Sequence, residues 1–154
     1  MQVRKAVLSD TDFLLHSAVT MAHETEGKVL DQIVVRKGIE DCIGLPKLGC
    51  YYVVENEEGK CVGTLGLTYE VSLQVGGQIT WIQSVYVVPE ARRLGVFRAM
   101  YNHVVAEAKA DPQVVCVRLY VETENEKAKA VYSAMGMTQM DDYSFEEKDF
   151  ILGH

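Results

Sequence analysis

Residues 81–110 place a strand, a short turn and a long helix in direct succession, and no other segment constrains the fold as strongly. Residues 81–88 are rich in Val, Ile, Tyr and Trp, which favour strands. Pro89 ends the strand because proline has no amide hydrogen to give to a ladder. The apolar residues then recur with helical spacing, at Phe97, Met100, Tyr101, Val104, Val105 and Ala108. One face of this predicted helix must therefore pack on a sheet.

The turn between this strand and this helix has the features of an anion-binding site. The first amides of a helix lack intrahelical partners, and the helix dipole makes that end electropositive. Gly95 would let a ligand approach the backbone, and Arg92 and Arg93 add positive charge to a chain whose net charge is -7. An ordinary loop with two solvated arginines fits the same spacing, so the turn alone leaves both interpretations open.

Hydrophobic periodicity and turn residues predict the other elements. A helix is expected to begin with a cap from residues 9–12, to run through about residue 22 and to be followed by a polar stretch that Gly27 closes. A second helix over residues 31–43 should use Ile33, Val34, Ile39 and Ile43 as its apolar face. The remaining predicted elements are strands 3–8, 51–55, 60–71 and 114–121, helix 125–135, and tail strands 138–142 and 144–150.

The connections between these elements predict a mixed sheet. Strands 51–55, 60–71 and 81–88 are joined by short turns and should form an antiparallel meander, with a bulge marked by Gly63 or Gly66. Strand 81–88, the long helix and strand 114–121 should instead form a right-handed crossover with parallel strands. The meander argues against a doubly wound nucleotide-binding domain, which requires repeated strand–helix alternation.

Composition narrows the class of protein. A chain of 154 residues with 48% hydrophobic and 24% charged residues suits one soluble domain, and no segment resembles a signal peptide or a membrane span. We therefore expect a cytoplasmic protein. The net charge of -7 argues against a nucleic-acid partner and is compatible with a cationic substrate. Cys42, Cys50, Cys61 and Cys116 form no CxxC pair and do not group with histidines, so neither disulfides nor a metal is expected.

Two motifs together resemble the GNAT superfamily of N-acetyltransferases. The order Val-x-Val-x-Pro, Arg-x-x-Gly-x and helix is similar to the family's coenzyme A pyrophosphate loop. Asn125, Ala128 and Tyr132 resemble the asparagine, alanine and tyrosine of its C-terminal cofactor helix. The resemblance covers nearly the whole chain and is firmest over residues 81–137. It implies one α/β (α+β) domain over residues 1–154, with a mixed sheet of about seven strands, a splayed parallel pair and about four helices.

The resemblance also implies a cofactor site for acetyl-CoA as co-substrate, without a metal. The pantetheine arm would enter the gap between the parallel strands and bind the backbone of Val85 and Val87. The other implied cofactor-binding residues are Arg92, Arg93, Leu94, Gly95, Val96, Phe97, Arg98 and Asn125. Phe97 departs from the small residue of many relatives. Because it begins the apolar stripe, we expect its ring to point to the core while its amide faces the ligand.

The implied reaction is transfer of an acetyl group to a primary amine by direct attack in a ternary complex. A backbone amide near Val87 would polarise the thioester carbonyl. By resemblance, Tyr132 would donate a proton or hydrogen bond to the leaving sulfur. The same residue lies on a helical stripe with Ala128, Val131 and Met135, which also suits an ordinary core aromatic.

The attacking amine must first lose a proton, because an ammonium with a pKa of about 10 is almost wholly protonated at neutral pH. The candidate bases are Glu24, Glu26, Glu70, Glu122, His23 and a chain of water molecules. Glu24 and Glu26 are favoured, because the corresponding region of the family borders the acceptor site. Each of these glutamates could equally be a solvated surface residue.

The sequence leaves the acceptor and the partners open. A small cationic amine, a peptide N-terminus, a lysine and an amino-sugar all fit an acidic enzyme, and exposed edge strands could support a homodimer. A non-catalytic domain that binds acyl-CoA as a sensor, or to recruit a partner, is the alternative to an enzyme.

Overall fold

A mixed β-sheet organises the computed structural model, which describes residues 1–140 of the chain. Five strands occur in this described part, in the spatial order β1-β2-β3-β4-β5. The first three pairs are antiparallel and the pair β4–β5 is parallel, which confirms the predicted meander and crossover. The strands are β1 Gln2–Lys5, β2 Gly49–Glu55, β3 Cys61–Val71, β4 Gln78–Val87 and β5 Val114–Leu119.

Four α-helices accompany this sheet in the described residues, as predicted. They are α1 Thr11–Glu26, α2 Gln32–Gly44, α3 Val96–Ala110 and α4 Glu126–Ala134, and two short 3-10 turns cover Leu8–Asp10 and Pro89–Ala91. Helix α1 runs one turn beyond the predicted end near residue 22 and stops at Gly27. Gly27 has a φ of 64°, a left-handed conformation that glycine adopts without steric cost.

The predicted count of about seven strands is too high for the described part of the chain. The two additional strands were placed at residues 138–142 and 144–150, and residues 138–140 have no regular structure. Alternation over so few residues carries little information, because a strand needs a partner to form. The rest of both segments lies outside the described residues. The chain divides into two compact units, Met1–Tyr120 and Val121–His154, and a single domain over 1–154 stays a prediction.

Helix α3 buries the apolar face that its periodicity predicted. Val96, Met100, Tyr101 and Val104 are buried, and Met100 has no exposed surface. Phe97 is half-buried, with its ring tilted against Tyr101 at a centroid distance of 6.0 Å. The fully buried face of α3 thus begins at Val96, and Phe97 lies at its margin.

A glycine in β3 allows α3 to approach the sheet. A Cβ atom on Gly63 would lie 2.6 Å from Cγ1 of Val96, closer than side chains tolerate. The first turn of α3 therefore sits directly over the β3 backbone. This contact fixes the position of the turn that precedes the helix.

The predicted apolar face of α2 is wrong in its first turn. Ile33 and Val34 are 83% and 65% exposed, whereas Ile39 is 2% exposed. Asp31 caps the helix by accepting hydrogen bonds from the amides of Ile33 and Val34, at 2.9 and 3.3 Å. With the start of the helix fixed there, the inward side is the row four residues apart, Val35, Ile39 and Ile43.

The expected side-chain cap of α1 does not form, because Asp10 has another partner. Its carboxylate accepts hydrogen bonds from the Arg4 guanidinium at 2.8 and 3.0 Å, and Arg4 also pairs with Glu55 at 2.6 Å. The Arg4 hydrogen bonds lower the pKa of Asp10 despite its burial. This cluster joins β1, β2 and the start of α1.

Candidate functional site

The parallel strands β4 and β5 separate partway along β4. Their pairing begins at Gln78 and Val114 and ends where Ile82 meets Leu119, a point we call the fork. Residues 83–87 of β4 continue beyond the fork, and within the described residues β3 is the only strand that pairs with any of them. We call these five residues the open segment. The predicted gap beside β4 thus lies along them.

A β-bulge lies where the open segment begins. Gly66 of β3 pairs with Ser84, and the next residue, Leu67, pairs with Ile82, so Gln83 is an extra residue in β4. A Cβ atom on Gly66 would lie 2.7 Å from Ser84 Oγ, which explains the glycine. The bulge predicted from the β3 glycines is confirmed at Gly66, although the inserted residue belongs to the partner strand.

The backbone groups predicted to meet the pantetheine arm lie on the open edge. The Val88 amide donates to the carbonyl of Val62 in β3, at 3.0 Å. Because successive residues of a strand direct their amides and carbonyls to opposite sides, those of Tyr86 also face β3. Those of Val85 and Val87 therefore face away from β3, toward the gap.

The turn before α3 combines positive charge with an unusual backbone. Gly95 has a φ of 80° and Arg93 has a φ of 65°, the only positive φ at a non-glycine residue in the described part of the chain. The first helical hydrogen bond runs from the Ala99 amide to the Gly95 carbonyl, at 3.0 Å, so earlier amides point out of the helix. A Cβ atom on Gly95 would meet no atom within 4 Å. This end of α3 is open and fits an anion.

The residues around this turn differ in exposure. Arg93 and Arg98 are exposed, as is Leu94 at 65%. Val96 is buried, and Phe97 rests on Tyr101 as described above. Arg93 and Arg98 therefore offer positive side-chain charge beside the helix terminus.

Arg92 is held by the protein itself. Its Nε donates to the Val87 carbonyl at 2.9 Å, its Nη2 donates to Glu24 at 3.0 Å, and its guanidinium carbon lies 5.8 Å from the Tyr86 ring centroid. The structure thus brings three predicted site residues together: Glu24, Val87 and Arg92. The sequence did not indicate this contact, because Glu24 and Arg92 are 68 residues apart.

Glu24 and Glu26 lie in the last turn of α1, not in the loop that the sequence suggested. Their carboxylates each have a cationic neighbour: Arg92 for Glu24, and Lys28 for Glu26 at 3.4 Å. Both glutamates are exposed, so these ion pairs contribute little to stability. Their effect is to fix where the carboxylates lie.

The second compact unit contains the other two predicted site residues. Asn125 caps α4 by accepting a hydrogen bond from the Ala128 amide at 3.0 Å, which gives this asparagine a structural role. Tyr132 is half-buried on the same helix, and burial raises the pKa of its phenol. The phenol is therefore protonated throughout the neutral range, as a proton donor must be.

A group of aromatic and charged side chains lies near the fork. Of its members, the sequence indicated Glu70 alone as a candidate site residue. The rings of Trp81 and Tyr120 are stacked, with centroids 4.6 Å apart and an interplanar angle of 16°. The Trp81 indole donates to Glu70 at 2.8 Å, and the Arg118 guanidinium carbon lies 5.9 Å from the Trp81 ring centroid. Arg118 and Tyr120 alternate with the apolar residues Val117 and Leu119, a signal hidden by the apolar character of β5. We call Glu70, Trp81, Arg118 and Tyr120 the fork cluster.

Comparison with known proteins identifies the family. Residues 16–137 match the model of the Acetyltransferase (GNAT) family. The chain belongs to the GNAT family. Among solved structures, a possible acetyltransferase from Clostridium difficile 630 is 37% identical, with 97% of each chain covered and a TM-score of 0.89.

More distant structures share the GNAT fold. A probable acetyltransferase is 23% identical, over 97% of this chain and 99% of the other, with a TM-score of 0.84. A Trypanosoma brucei acetyltransferase is 20% identical, over 96% and 99%, with a TM-score of 0.72. Among curated proteins, none matches this sequence. Acyl transfer from acetyl-CoA is the general activity of this family.

The described residues were also compared with the requirements for a membrane span and for a metal site. None of the helices within residues 1–140 is long and apolar enough to cross a membrane. The same part of the chain holds no group of three or more His, Cys, Asp or Glu side chains placed to bind a metal ion.

Proposed function

We propose that this GNAT protein transfers an acetyl group from acetyl-CoA to a primary amine by direct attack in a ternary complex. The observation that carries this proposal is the succession of the open segment and a strained, cationic turn at the N-terminus of α3. Strain at a non-glycine residue is typical of functional loops. A backbone edge followed by an anion site suits a ligand with an amide-containing arm and phosphates at one end.

The chain would hold acetyl-CoA at two places. The amides from Arg93 to Phe97 face the pyrophosphate, and the side chains of Arg93 and Arg98 add charge. The backbone of Val85 and Val87 binds the pantetheine arm along the open segment. By resemblance to the family, Asn125 is a further proposed cofactor-binding residue, and its side chain caps α4.

The chemistry needs a nucleophile, a polarised carbonyl and a proton donor. Acetyl-CoA supplies the acetyl thioester. The neutral amine forms a bond from its nitrogen to the acetyl carbon, the carbon–sulfur bond breaks, and the sulfur leaves with the electron pair. An amide of the open segment stabilises the negative charge that develops on the oxygen. Tyr132 gives a proton to the sulfur, and the proton lost by the amine passes to a carboxylate or to water.

Calorimetry with acetyl-CoA and the variant Gly95→Glu tests this proposal directly. The new carboxylate would repel the pyrophosphate, so saturable binding to the native protein should weaken at least about 100-fold in the variant. Gly59→Glu is the matched control, because Gly59 has a φ of 75° in an exposed turn and a Cβ there also meets no atom. Both variants carry similar backbone strain, and only Gly95→Glu should lose binding.

Release of free coenzyme A thiol in the presence of amines then tests the transfer. No binding of acetyl-CoA by the native protein would refute the cofactor site. Tight binding without thiol release, across small amines, peptides and amino-sugars, would instead identify a non-catalytic acyl-CoA-binding domain.

Assembly and location stay predictions. The outer edge of β1 is unpaired within the described residues and is the candidate contact of a homodimer. Light scattering of the purified protein measures the dimer. Cytoplasmic localisation is tested by fractionation of the native host.

A further inference from the structure

The proposed cofactor site has a direction, because the open segment has two different ends. One end, at Val87, leads into the turn before α3, and the other is the fork at Ile82 and Leu119. A cofactor that is held by its phosphates at the turn and lies along β4 brings its thioester end toward the fork. This step rests on the proposed function. The acceptor amine must therefore be bound near the fork.

The fork cluster lies on one face of the sheet. Trp81 pairs in register with Thr68 of β3 and with Arg118 of β5. Glu70 follows Thr68 by two residues and lies level with Ile79, and Tyr120 follows Arg118 by two residues, just past the end of β5, so their side chains project from the same face on either side of Trp81. Three of these side chains, Glu70, Arg118 and Tyr120, thus gather around Trp81, which lies one residue before the end of the parallel pairing.

The shape of the fork cluster favours a flat ligand. Tyr120 is 69% exposed and its ring is stacked on that of Trp81, so one face of Tyr120 is covered by the indole and the other is a flat aromatic surface open to a ligand. A ring placed on such a surface gains stacking energy beyond its area of burial. An aliphatic chain of the same length gains only the energy that comes from burying its apolar surface.

The charges of the fork cluster favour one positive charge and disfavour several. The Glu70 carboxylate is oriented by the Trp81 indole and is exposed, so it can accept hydrogen bonds from an ammonium. The Arg118 guanidinium is a permanent positive charge over the same indole ring. It would repel a second cationic group on the ligand.

We propose that the fork cluster binds the acceptor, and that the acceptor is a monoamine attached to a flat aromatic group. The open face of Tyr120 contacts the ring, Trp81 supports Tyr120 from behind, Glu70 contacts the ammonium, and Arg118 excludes polycations. Glu70 is thereby assigned as the acidic residue that meets the acceptor, a place that the sequence had favoured for Glu24 and Glu26.

The chain contains a single tryptophan, so its fluorescence reports this site without any need for catalysis. We expect 2-phenylethylamine to cause a saturable change in Trp81 fluorescence. It should bind about three- to tenfold more tightly than hexylamine, because stacking is worth about 0.5–1.5 kcal/mol. Spermidine should bind more weakly than either monoamine.

Two pairs of variants assign the effect to residues. Tyr120→Leu should remove the preference for 2-phenylethylamine over hexylamine, whereas Leu73→Ala, at a residue that is 95% exposed in the β3–β4 connection, should retain it. Glu70→Gln should weaken the binding of both monoamines at least threefold. Glu58→Gln, in the turn between β2 and β3, should leave the binding of both unchanged. Circular dichroism verifies that each variant is folded.

Equal affinity for 2-phenylethylamine and hexylamine, preference for spermidine, or no effect of Tyr120→Leu would each overturn the inference. Failure of the proposed function would look different: acetyl-CoA would not bind, or no thiol would be released, while the fluorescence titrations stood as expected. Absence of any fluorescence response to the three amines, with thiol release from another acceptor, would overturn the inference and leave the transferase intact.

Discussion

We propose that the two ends of the open segment bind opposite charges, and they would do so with different parts of the protein. At the turn before α3 the anion-binding groups are mainly backbone amides, and Gly95 and Arg93 hold the unusual dihedral angles that expose them. At the fork the groups are the side chains of three strands, and Trp81 and Tyr120 provide the surface. The comparison teaches that main chain can provide the proposed cofactor site, while side chains from distant segments can provide the proposed acceptor site.

The largest expected effect comes from replacing Tyr132, which should lower the turnover rate without changing binding at either end of the open segment. Tyr132→Phe should lower kcat by about 100-fold, since general acid catalysis contributes about that much or more, and should leave binding of acetyl-CoA and of amines unchanged. Rapid measurement of thiol release provides kcat, and calorimetry and Trp81 fluorescence provide the affinities.

The pH profile gives a second test of Tyr132. A proton donor is active below its pKa, and burial raises the pKa of this phenol above the ordinary value of about 10. On the alkaline side, the native enzyme should therefore lose activity as pH rises through that raised pKa, and Tyr132→Phe should lack this alkaline limb. An unchanged kcat in the variant at every pH would assign Tyr132 a packing role instead.

A smaller effect should separate the two adjacent arginines at the turn. Arg93→Asn should weaken acetyl-CoA binding about tenfold, because an exposed guanidinium beside the phosphates is lost while asparagine still tolerates a positive φ. Arg92→Asn should change it less than about threefold, because Arg92 is engaged with Val87 and Glu24. Calorimetry at low and high salt makes the comparison. Equal losses would mean that Arg92 also reaches the phosphates.

The smallest effect is expected for Glu24. A large effect there would contradict the assignment of the acceptor to the fork end of the open segment. Its carboxylate is paired with Arg92 beside Val87, away from the fork, so Glu24→Gln should change kcat less than about threefold. Asp12→Asn is a suitable control, because Asp12 forms a comparable exposed ion pair with Arg36 at the opposite end of α1. A loss of about 100-fold in kcat would identify Glu24 as the general base and move the acceptor toward the turn.

Local sequence was enough to predict much of the fold and the cofactor end of the site. β4, the turn and α3 follow from strand propensity, Pro89 and a helical stripe, all of which act over a few residues. Asn125 likewise occupies the cap position that its side chain favours. The matched GNAT family and the mixed sheet confirm the predicted family and fold, whereas the cofactor site stays a prediction. The face of α2 was misassigned at Ile33 and Val34, because the cap at Asp31 sets the phase of the helix against the sheet.

The sequence by itself thus determined the strand–turn–helix unit and its positive turn, since the forces involved act between near neighbours. Only the tertiary structure decided that Arg92 meets Glu24 and that Glu70, Trp81, Arg118 and Tyr120 come together. The physical reason is register. The pairing of β3, β4 and β5, including the extra residue Gln83, selects which side chains from distant segments share a face, and one shifted residue would have selected others.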